Sequence, residues 1–342
     1  AEVNPLFSDS VYIDRLSRIP AVMEMPYNDI VRKFIDMYAG RLRNQVSFML
    51  SACNFYMPIF EEALDAYGLP LELKYLPIIE SALNPSAVSR AGASGLWQFM
   101  IGTGKIYGLE FNSLIDERRD PIKATWAAAR YLKEMYDIYG DWNLVIAAYN
   151  CGPGTINKAI RRAGGETDYW KIYNLLPKET RGYVPAFIAA NYVMTYYCDH
   201  NICPMETNIP ASTDTVQVTK NLHFEQIAEL CNVPLEEVKS LNPQYKKQVI
   251  PGTTKPCTLR LPQGAISTFI DKQDTIYAHR ADELFRNRKT VAVKEVTPTT
   301  RRQTSAVAGK GKLTYYKIKS GDTLSSIAEK LGVRVKDIQQ WN

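Results

Sequence analysis

Asp120-Pro121-Ile122-Lys123-Ala124-Thr125-Trp126-Ala127-Ala128-Ala129-Arg130-Tyr131-Leu132-Lys133-Glu134-Met135-Tyr136-Asp137-Ile138-Tyr139-Gly140 reads as one complete amphipathic helix. Asp120 supplies a capping carboxylate, and Pro121 occupies the first helical position, where its missing N–H costs nothing. Ile122, Trp126, Ala129, Leu132, Met135 and Tyr139 return at steps of three and four residues and mark one face. Gly140 ends it. Asp141 can cap a second helix, Trp142 to Tyr149, which Gly152-Pro153-Gly154 breaks before a short helix resumes from Thr155 to Ala163. Further on, Glu179 to Tyr197 is long and mostly apolar, as a core helix must be. Upstream, apolar residues from Asn28 to about Ala66 repeat with the same period. Leu71 to about Ser81 adds a helix that Asn84-Pro85 closes, because the residue before proline avoids the helical region. No alternating strand pattern interrupts residues 28–198, so this span is expected to be all-helical.

The chain has 342 residues, enough for two or three compact units of ~100–200 residues. Its composition, 46% hydrophobic and 23% charged, excludes wholesale disorder and a fibrous repeat. Apolar runs are broken before the ~18–20 residues a spanning helix needs. No export signal precedes Ala1, which leaves a cytoplasmic chain or a mature exported one. A net charge of +5, from 41 basic and 36 acidic residues, is too small and dispersed to predict a nucleic-acid partner. Of the six cysteines, Cys198/Cys203 and Cys231/Cys257 are near enough in sequence to pair, and buried thiols are the simpler reading. Three histidines, none spaced with a cysteine as metal ligands are, argue against a metal site, and no cofactor is expected.

The pattern changes after Pro204. Thr213–Thr219 alternates as a strand does, His223–Cys231 and Leu235–Leu241 are helical, and Thr258–Pro262 is a second strand, together a small β-α-α-β unit. Residues 287–313, rich in Lys, Arg, Thr, Ser, Ala and Gly, are expected to be a flexible linker. A second small unit follows, with a strand at Tyr315–Ile318 and helices at Thr323–Leu331 and Val335–Trp341. Both units carry Ile-Ala-Glu followed by a helix beginning at Val, a divergent repeat. The domain reading is 1–67 helical extension, 68–204 catalytic domain, 213–264 first small module, 265–286 helical tail, 287–313 linker and 314–342 second module, which lacks its closing strand.

Glu80 ends an apolar helix (Leu73, Leu76, Ile78, Ile79) beside a glycine-rich loop where a polymer could approach. Burial and the negative end of the helix dipole both disfavour its ionised form, so its pKa should rise toward neutrality, as a proton donor at pH 7 requires. A solvated helix-end glutamate is the bland alternative. The run Glu80-Ser81-Ala82-Leu83-Asn84-Pro85 through Ser89-Arg90-Ala91-Gly92-Ala93-Ser94-Gly95-Leu96-Trp97-Gln98-Phe99-Met100 resembles the signature of the goose-lysozyme-like, SLT-type lytic transglycosylases. Ala147-Ala148-Tyr149-Asn150-Cys151-Gly152-Pro153-Gly154 and Glu179-Thr180-Arg181-Gly182-Tyr183-Val184 resemble the family's further motifs in the same order. Tyr316-Lys317-Ile318-Lys319-Ser320-Gly321-Asp322-Thr323 resembles the start of a LysM module, with Asp322 placed to cap the helix from Leu324. Residues 213–264 would be a degenerate copy of that module.

The resemblance implies a mainly α fold: a lysozyme-like helical catalytic domain followed by β-α-α-β LysM-type modules. It implies cleavage of the β-1,4 bond between N-acetylmuramic acid and N-acetylglucosamine, leaving a 1,6-anhydromuramoyl end, with Glu80 as sole acid and base. Ser89 and Gln98 would hydrogen-bond sugar or hold Glu80, Met100 would line the muramoyl subsite, Tyr149 and Asn150 would face the cleaved bond, and Glu179 and Tyr183 would complete the cleft. Core packing remains the alternative for Met100 and Tyr149, and a dipole-favoured carboxylate for Glu179. The implied partner is the peptidoglycan glycan strand, met by a monomer in the periplasm at the outer membrane through a lipid anchor. A hydrolytic muramidase and a noncatalytic peptidoglycan-binding scaffold are the rival readings.

Overall fold

The computed structural model of the chain describes residues 4–207, 209–285, 290–294, 313–318 and 322–341. Contacts divide the chain into two compact units, one of residues 1–213 with 239–245, the other of 214–238 with 246–342. The first unit is helical: α1 (Asp9–Ser17), α2 (Asp29–Ala39), α3 (Arg43–Ala66), α4 (Leu76–Ser81), α5 (Ile101–Ile106), α6 (Pro121–Tyr139), α7 (Trp142–Cys151), α8 (Pro153–Arg162), α9 (Tyr169–Ile172) and α10 (Lys178–Tyr196). Asn28, Asp120 and Asp141 cap α2, α6 and α7 through their side-chain oxygens, each accepting from backbone N–H groups of the first turn. Gly140 closes α6 in the left-handed conformation, with φ +62°.

The core of this unit is one continuous cluster. α10 forms its axis, with every side chain from Tyr183 to Met194 buried, and it packs against α2, α7 and α4. Trp97, Phe60 and Phe187 are among the largest fully buried rings. Two sequence expectations shift. The face of α6 that meets the core centres on Ala124, Ala128, Leu132 and Met135, which leaves Ile122 exposed. The helix read from Leu71 to Ser81 is a 3-10 turn, Leu71–Tyr75, followed by the short α4, with Pro77 in its first turn, where the missing N–H costs nothing. α4 ends before Asn84-Pro85: Ala82 and Leu83 both take left-handed φ (51° and 59°), and their N–H groups donate to the carbonyls of Ile78 and Pro77.

In the second unit, β1 (Thr213–Val218) pairs with β4 (Cys257–Pro262), and β2 (Asn221–His223) pairs antiparallel with β3 (Val249–Pro251), His223 opposite Val249. The short β2 and β3 escaped the sequence reading. Between them lie α11 (Phe224–Cys231) and α12 (Leu235–Leu241), and α13 (Gln263–Asp271), α14 (Gln273–Ala278) and α15 (Ala281–Leu284) follow β4. α13 and α14 pack on α11 with Phe269 and Ile276 buried, and Gln226 donates to the carbonyls of Tyr277 and His279.

Part of the expected linker is a strand. β5 (Thr290–Lys294) pairs antiparallel with β6 (Leu313–Lys317), Ala292 opposite Tyr315; the alternating Thr-Val-Ala-Val fits a pleated strand and meets the edge of β6. Of the expected linker, residues 287–289 and 295–312 lie outside the described residues, and Leu313 begins β6. α16 (Leu324–Lys330) and α17 (Val335–Trp341) follow. Asp322 does not cap α16. Thr323 does, in a reciprocal pair with Ser326, while the Asp322 carboxylate, one residue too early, accepts from Tyr316 Oη (3.0 Å) and Lys330 Nζ (2.6 Å). The repeat is visible in the backbone: Val233 N–H donates to Ala228 O at 3.1 Å and Val333 N–H to Ala328 O at 3.0 Å, across left-handed Asn232 and Gly332.

No described helix is long and apolar enough to cross a membrane. Cys231 and Cys257 are buried free thiols and Cys53 and Cys151 half-buried ones, but Cys198 and Cys203 are exposed, so the buried-thiol reading does not extend to them.

Candidate active site

Glu80 stands in the last turn of α4, partly exposed, on a recess of 460 Å³. Its surroundings favour the neutral acid. Burial pushes the carboxyl from 4.5 up to about 7, the bond from Tyr183 opposes the rise, and the charge of Glu179 adds to it. Tyr183, on α10, donates its hydroxyl to Glu80 Oε1. Burial and the neighbouring Glu80 hold the Tyr183 phenol well above its ordinary pKa, so it stays a donor. Glu179, in the first turn of α10, is exposed and acts on Glu80 through space.

The loop from Ala87 to Phe99 forms one side of the recess, contributing Ala87, Val88, Ser89 and Gln98. Its shape is fixed from several elements. Ser81 Oγ of α4 donates to Leu96 O (2.9 Å), and Tyr149 Oη of α7 to Trp97 O (2.6 Å). The Trp97 indole donates to Thr125 of α6 (2.9 Å). Arg118, buried and paired on two oxygens with buried Asp116 (2.8 and 2.9 Å), donates its remaining nitrogen to Gly92 O and Phe99 O at 2.8 and 3.0 Å. Gly95 passes so close that a Cβ there would lie 1.8 Å from Arg118 O, at a φ of +88°.

Other expected site residues find specific places. Ser89 Oγ accepts from Ala93 N–H (3.1 Å), so it shapes the loop while lining the recess. Gln98 makes no hydrogen bond to Glu80: its amide nitrogen donates to Gly95 O (2.8 Å) and Ala87 O (3.2 Å), while the residue lines the recess. The Tyr149 hydroxyl is committed to the loop, although the ring lies near enough to Glu80 to feel its charge. Asn150 Oδ1 accepts from Thr180 Oγ1 (2.9 Å) and ties α7 to α10. Met100 is 46% exposed at the start of α5 and is no core residue. Tyr149, Asn150, Met100, Glu179 and Tyr183 are not among the recess lining. The far wall, from α2 and α3, carries Met37, Tyr38, Gln45 and Met49, which the sequence reading passed over.

Comparison with known proteins bears on this arrangement. The Transglycosylase SLT domain model matches residues 57–172, a LysM-like domain model of lytic transglycosylase MltD matches 212–278, and the LysM domain model matches 316–342. Membrane-bound lytic murein transglycosylase D of Escherichia coli K12 is 31% identical over 326 residues, covering 94% of this chain and 67% of that protein. This chain belongs to the lytic murein transglycosylase D family. Within that family's wider relations, the soluble lytic murein transglycosylase of the same organism is 33% identical over 124 residues (34% of this chain, 19% of that protein). The transglycosylase of Enterobacteria phage PRD1 is 33% identical over 97 residues (28% and 34%). The mainly α class with LysM-type modules is therefore the fold of this lytic transglycosylase.

Proposed function

We propose that this chain is a peptidoglycan lytic transglycosylase in which Glu80 performs both proton transfers. The observation that carries the reading is a partly desolvated carboxyl, balanced near neutrality and gripped by Tyr183, in the wall of an open recess. Ordinary glycosidases need a second carboxylate about 5–9.5 Å away as nucleophile or base. Glu80 is the one carboxylate among the recess-lining residues, and Glu179, the carboxylate near enough to act on it, is exposed and outside that lining, which favours a route that uses none. Protonated Glu80 gives its proton to the oxygen between N-acetylmuramic acid and N-acetylglucosamine, and the bond from that oxygen to the muramoyl C1 breaks, so that N-acetylglucosamine leaves with a free C4 hydroxyl. The resulting carboxylate removes the proton from the C6 hydroxyl of the same muramoyl ring, whose oxygen closes onto C1. Glu80 is reprotonated, the ring carries a 1,6-anhydro bridge and no water is consumed. In this reading Ser89, Gln98, Met100, Tyr149, Asn150 and Glu179 bind or frame the glycan.

The two LysM-type regions raise the local concentration of the catalytic domain on its polymer. The reading places residues 68–204 as the catalytic domain, with the modules beyond 213 as wall-binding pieces. It puts the protein in the periplasm as a monomer held at the outer membrane by a lipid anchor, in keeping with the membrane-bound relative. Mass spectrometry of purified peptidoglycan after digestion tests the chemistry: anhydromuramoyl ends are expected. Ends heavier by one water would identify a hydrolytic muramidase, and undigested polymer a noncatalytic scaffold.

A further inference from the structure

The recess beside Glu80 has a wall that lies outside the catalytic family model, which begins at residue 57. Met37 and Tyr38 come from the end of α2, Leu42 from the turn, and Gln45 and Met49 from the start of α3. The turn is set by Leu42 N–H donating to Met37 O at 2.9 Å. α2 is packed along α10, and α10 also packs against α4, so this wall and Glu80 are fixed on the same helix.

Two polar groups on the wall are unused. Tyr38 is 6% exposed and lines the recess, and its hydroxyl makes no hydrogen bond among the described residues. A buried tyrosine ordinarily finds a partner for its hydroxyl. Gln45, whose amide sets a donor and an acceptor side by side, is exposed, lines the recess and likewise makes no hydrogen bond among the described residues. Met37, Leu42 and Met49 place apolar surface around them. That combination complements an acetamido group, which offers one N–H, one C=O and one methyl.

We propose that the α2–α3 wall is a saccharide subsite in which Tyr38 Oη and the Gln45 amide hydrogen-bond an N-acetylhexosamine next to the bond cleaved at Glu80. Gln45 pairs with the acetamido group and the methyl rests against Met37. The subsite rests on the transglycosylase reading. It makes the N-terminal helices part of substrate recognition.

The test uses the full chain with Tyr38→Phe, which keeps the ring, and Gln45→Ala, on an exposed position. Release of anhydromuramoyl product is followed against glycan concentration, together with Tm. Loss of one neutral hydrogen bond to substrate should raise KM about three- to tenfold with kcat within about twofold, and the double variant should show about the product of the two. Partial N-deacetylation of the polymer should raise the wild-type KM and leave that of Gln45→Ala nearly unchanged. A lowered Tm with unaltered KM would assign Tyr38 to packing and overturn the subsite, as would wild-type KM in both variants. A wild type that releases no anhydromuramoyl product would instead sink the reading on which the subsite rests.

Discussion

Tyr183 and Glu80 stand 103 positions apart in sequence, and the hydroxyl of one donates to Oε1 of the other. The contact exists because α10 runs through the core against α4, so a phenol on the long helix meets a carboxyl at the end of the short one. Burial raises the affinity of Glu80 for its proton and the hydroxyl lowers it, with a balance at about 7. A group so poised can give a proton and take one back at neutral pH.

The rate should therefore follow the protonation of Glu80. kcat/KM for anhydromuramoyl release is expected to fall tenfold per pH unit well above about 7, as the acid form disappears. Glu80→Gln should lose at least ~10²–10⁴-fold at every pH, since general acid–base help of that size is removed from both steps. A variant retaining wild-type product would move the chemistry elsewhere.

The same substitution should stabilise the fold, with a definite pH dependence. The folded pKa of Glu80 is raised above its unfolded value of 4.5, so folding carries no penalty from it below about 4.5. The penalty grows as pH rises and is complete above about 7. Relative to wild type, Glu80→Gln should gain roughly 1–3 kcal/mol at pH 8 and little at pH 4, read from urea midpoints.

Tyr183→Phe removes the one interaction that favours the carboxylate, so the alkaline limb of the pH–rate profile should move to higher pH. The basic step should also suffer, because an unheld carboxylate samples other rotamers. An unshifted limb would mean that the hydroxyl does not bear on the proton of Glu80.

Local chemistry was legible and distant chemistry was not. Asp120 and Asp141 cap their helices as read, since a cap depends on a few adjacent residues. Glu80 was singled out by the family motif around it, because an apolar helix and a glycine-rich loop alone suit a solvated helix-end glutamate as well, and the structure sets it on the recess. Tyr38 and Gln45 carry no local signal, because what brings them to the recess is the packing of α2 on α10 and of α3 on α2. Gln98 was expected to bond sugar or to hold Glu80; its backbone is left-handed, φ +50°, and its amide nitrogen donates into its own loop, so of the two the structure leaves the sugar role. β5 was hidden in a stretch of linker-like composition because strand pairing depends on the partner edge.

His200 offers an acid-side test at the other end of α10. It is fully buried, with Nδ1 at 2.7 Å from Asn4 Oδ1 and Nε2 at 3.0 Å from Tyr192 Oη, and burial lowers its pKa from 6.5 to about 4. Its folded pKa is depressed, so the neutral ring contributes stability above about 6.5 that is lost as pH falls through about 4. His200→Gln should be less stable at pH 7 yet show a flatter decline between pH 6.5 and 4, measured by denaturant titration. An equally steep decline would place the titration on other groups.

Arg118 tests whether the shape of the loop, apart from its chemistry, sustains the site. Its guanidinium is buried against Asp116 and spans the carbonyls of Gly92 and Phe99, so it ties the two sides of the loop that presents Ser89 and Gln98. Arg118→Met keeps much of the side-chain volume and leaves the Asp116 carboxylate buried without this partner. Breaking such a pair costs about 3–5 kcal/mol, enough to lower Tm by roughly 6–20 °C in a unit of this size. Replacing both partners, Arg118→Met with Asp116→Leu, should recover much of that stability, because no lone charge is left buried. It should not recover activity, since neither new side chain can donate to the two carbonyls, and KM should remain raised while the pH dependence set by Glu80 is kept. Tm and steady-state kinetics on the three proteins separate the two roles. A double variant that regains both stability and KM would show that the loop keeps its shape without the guanidinium.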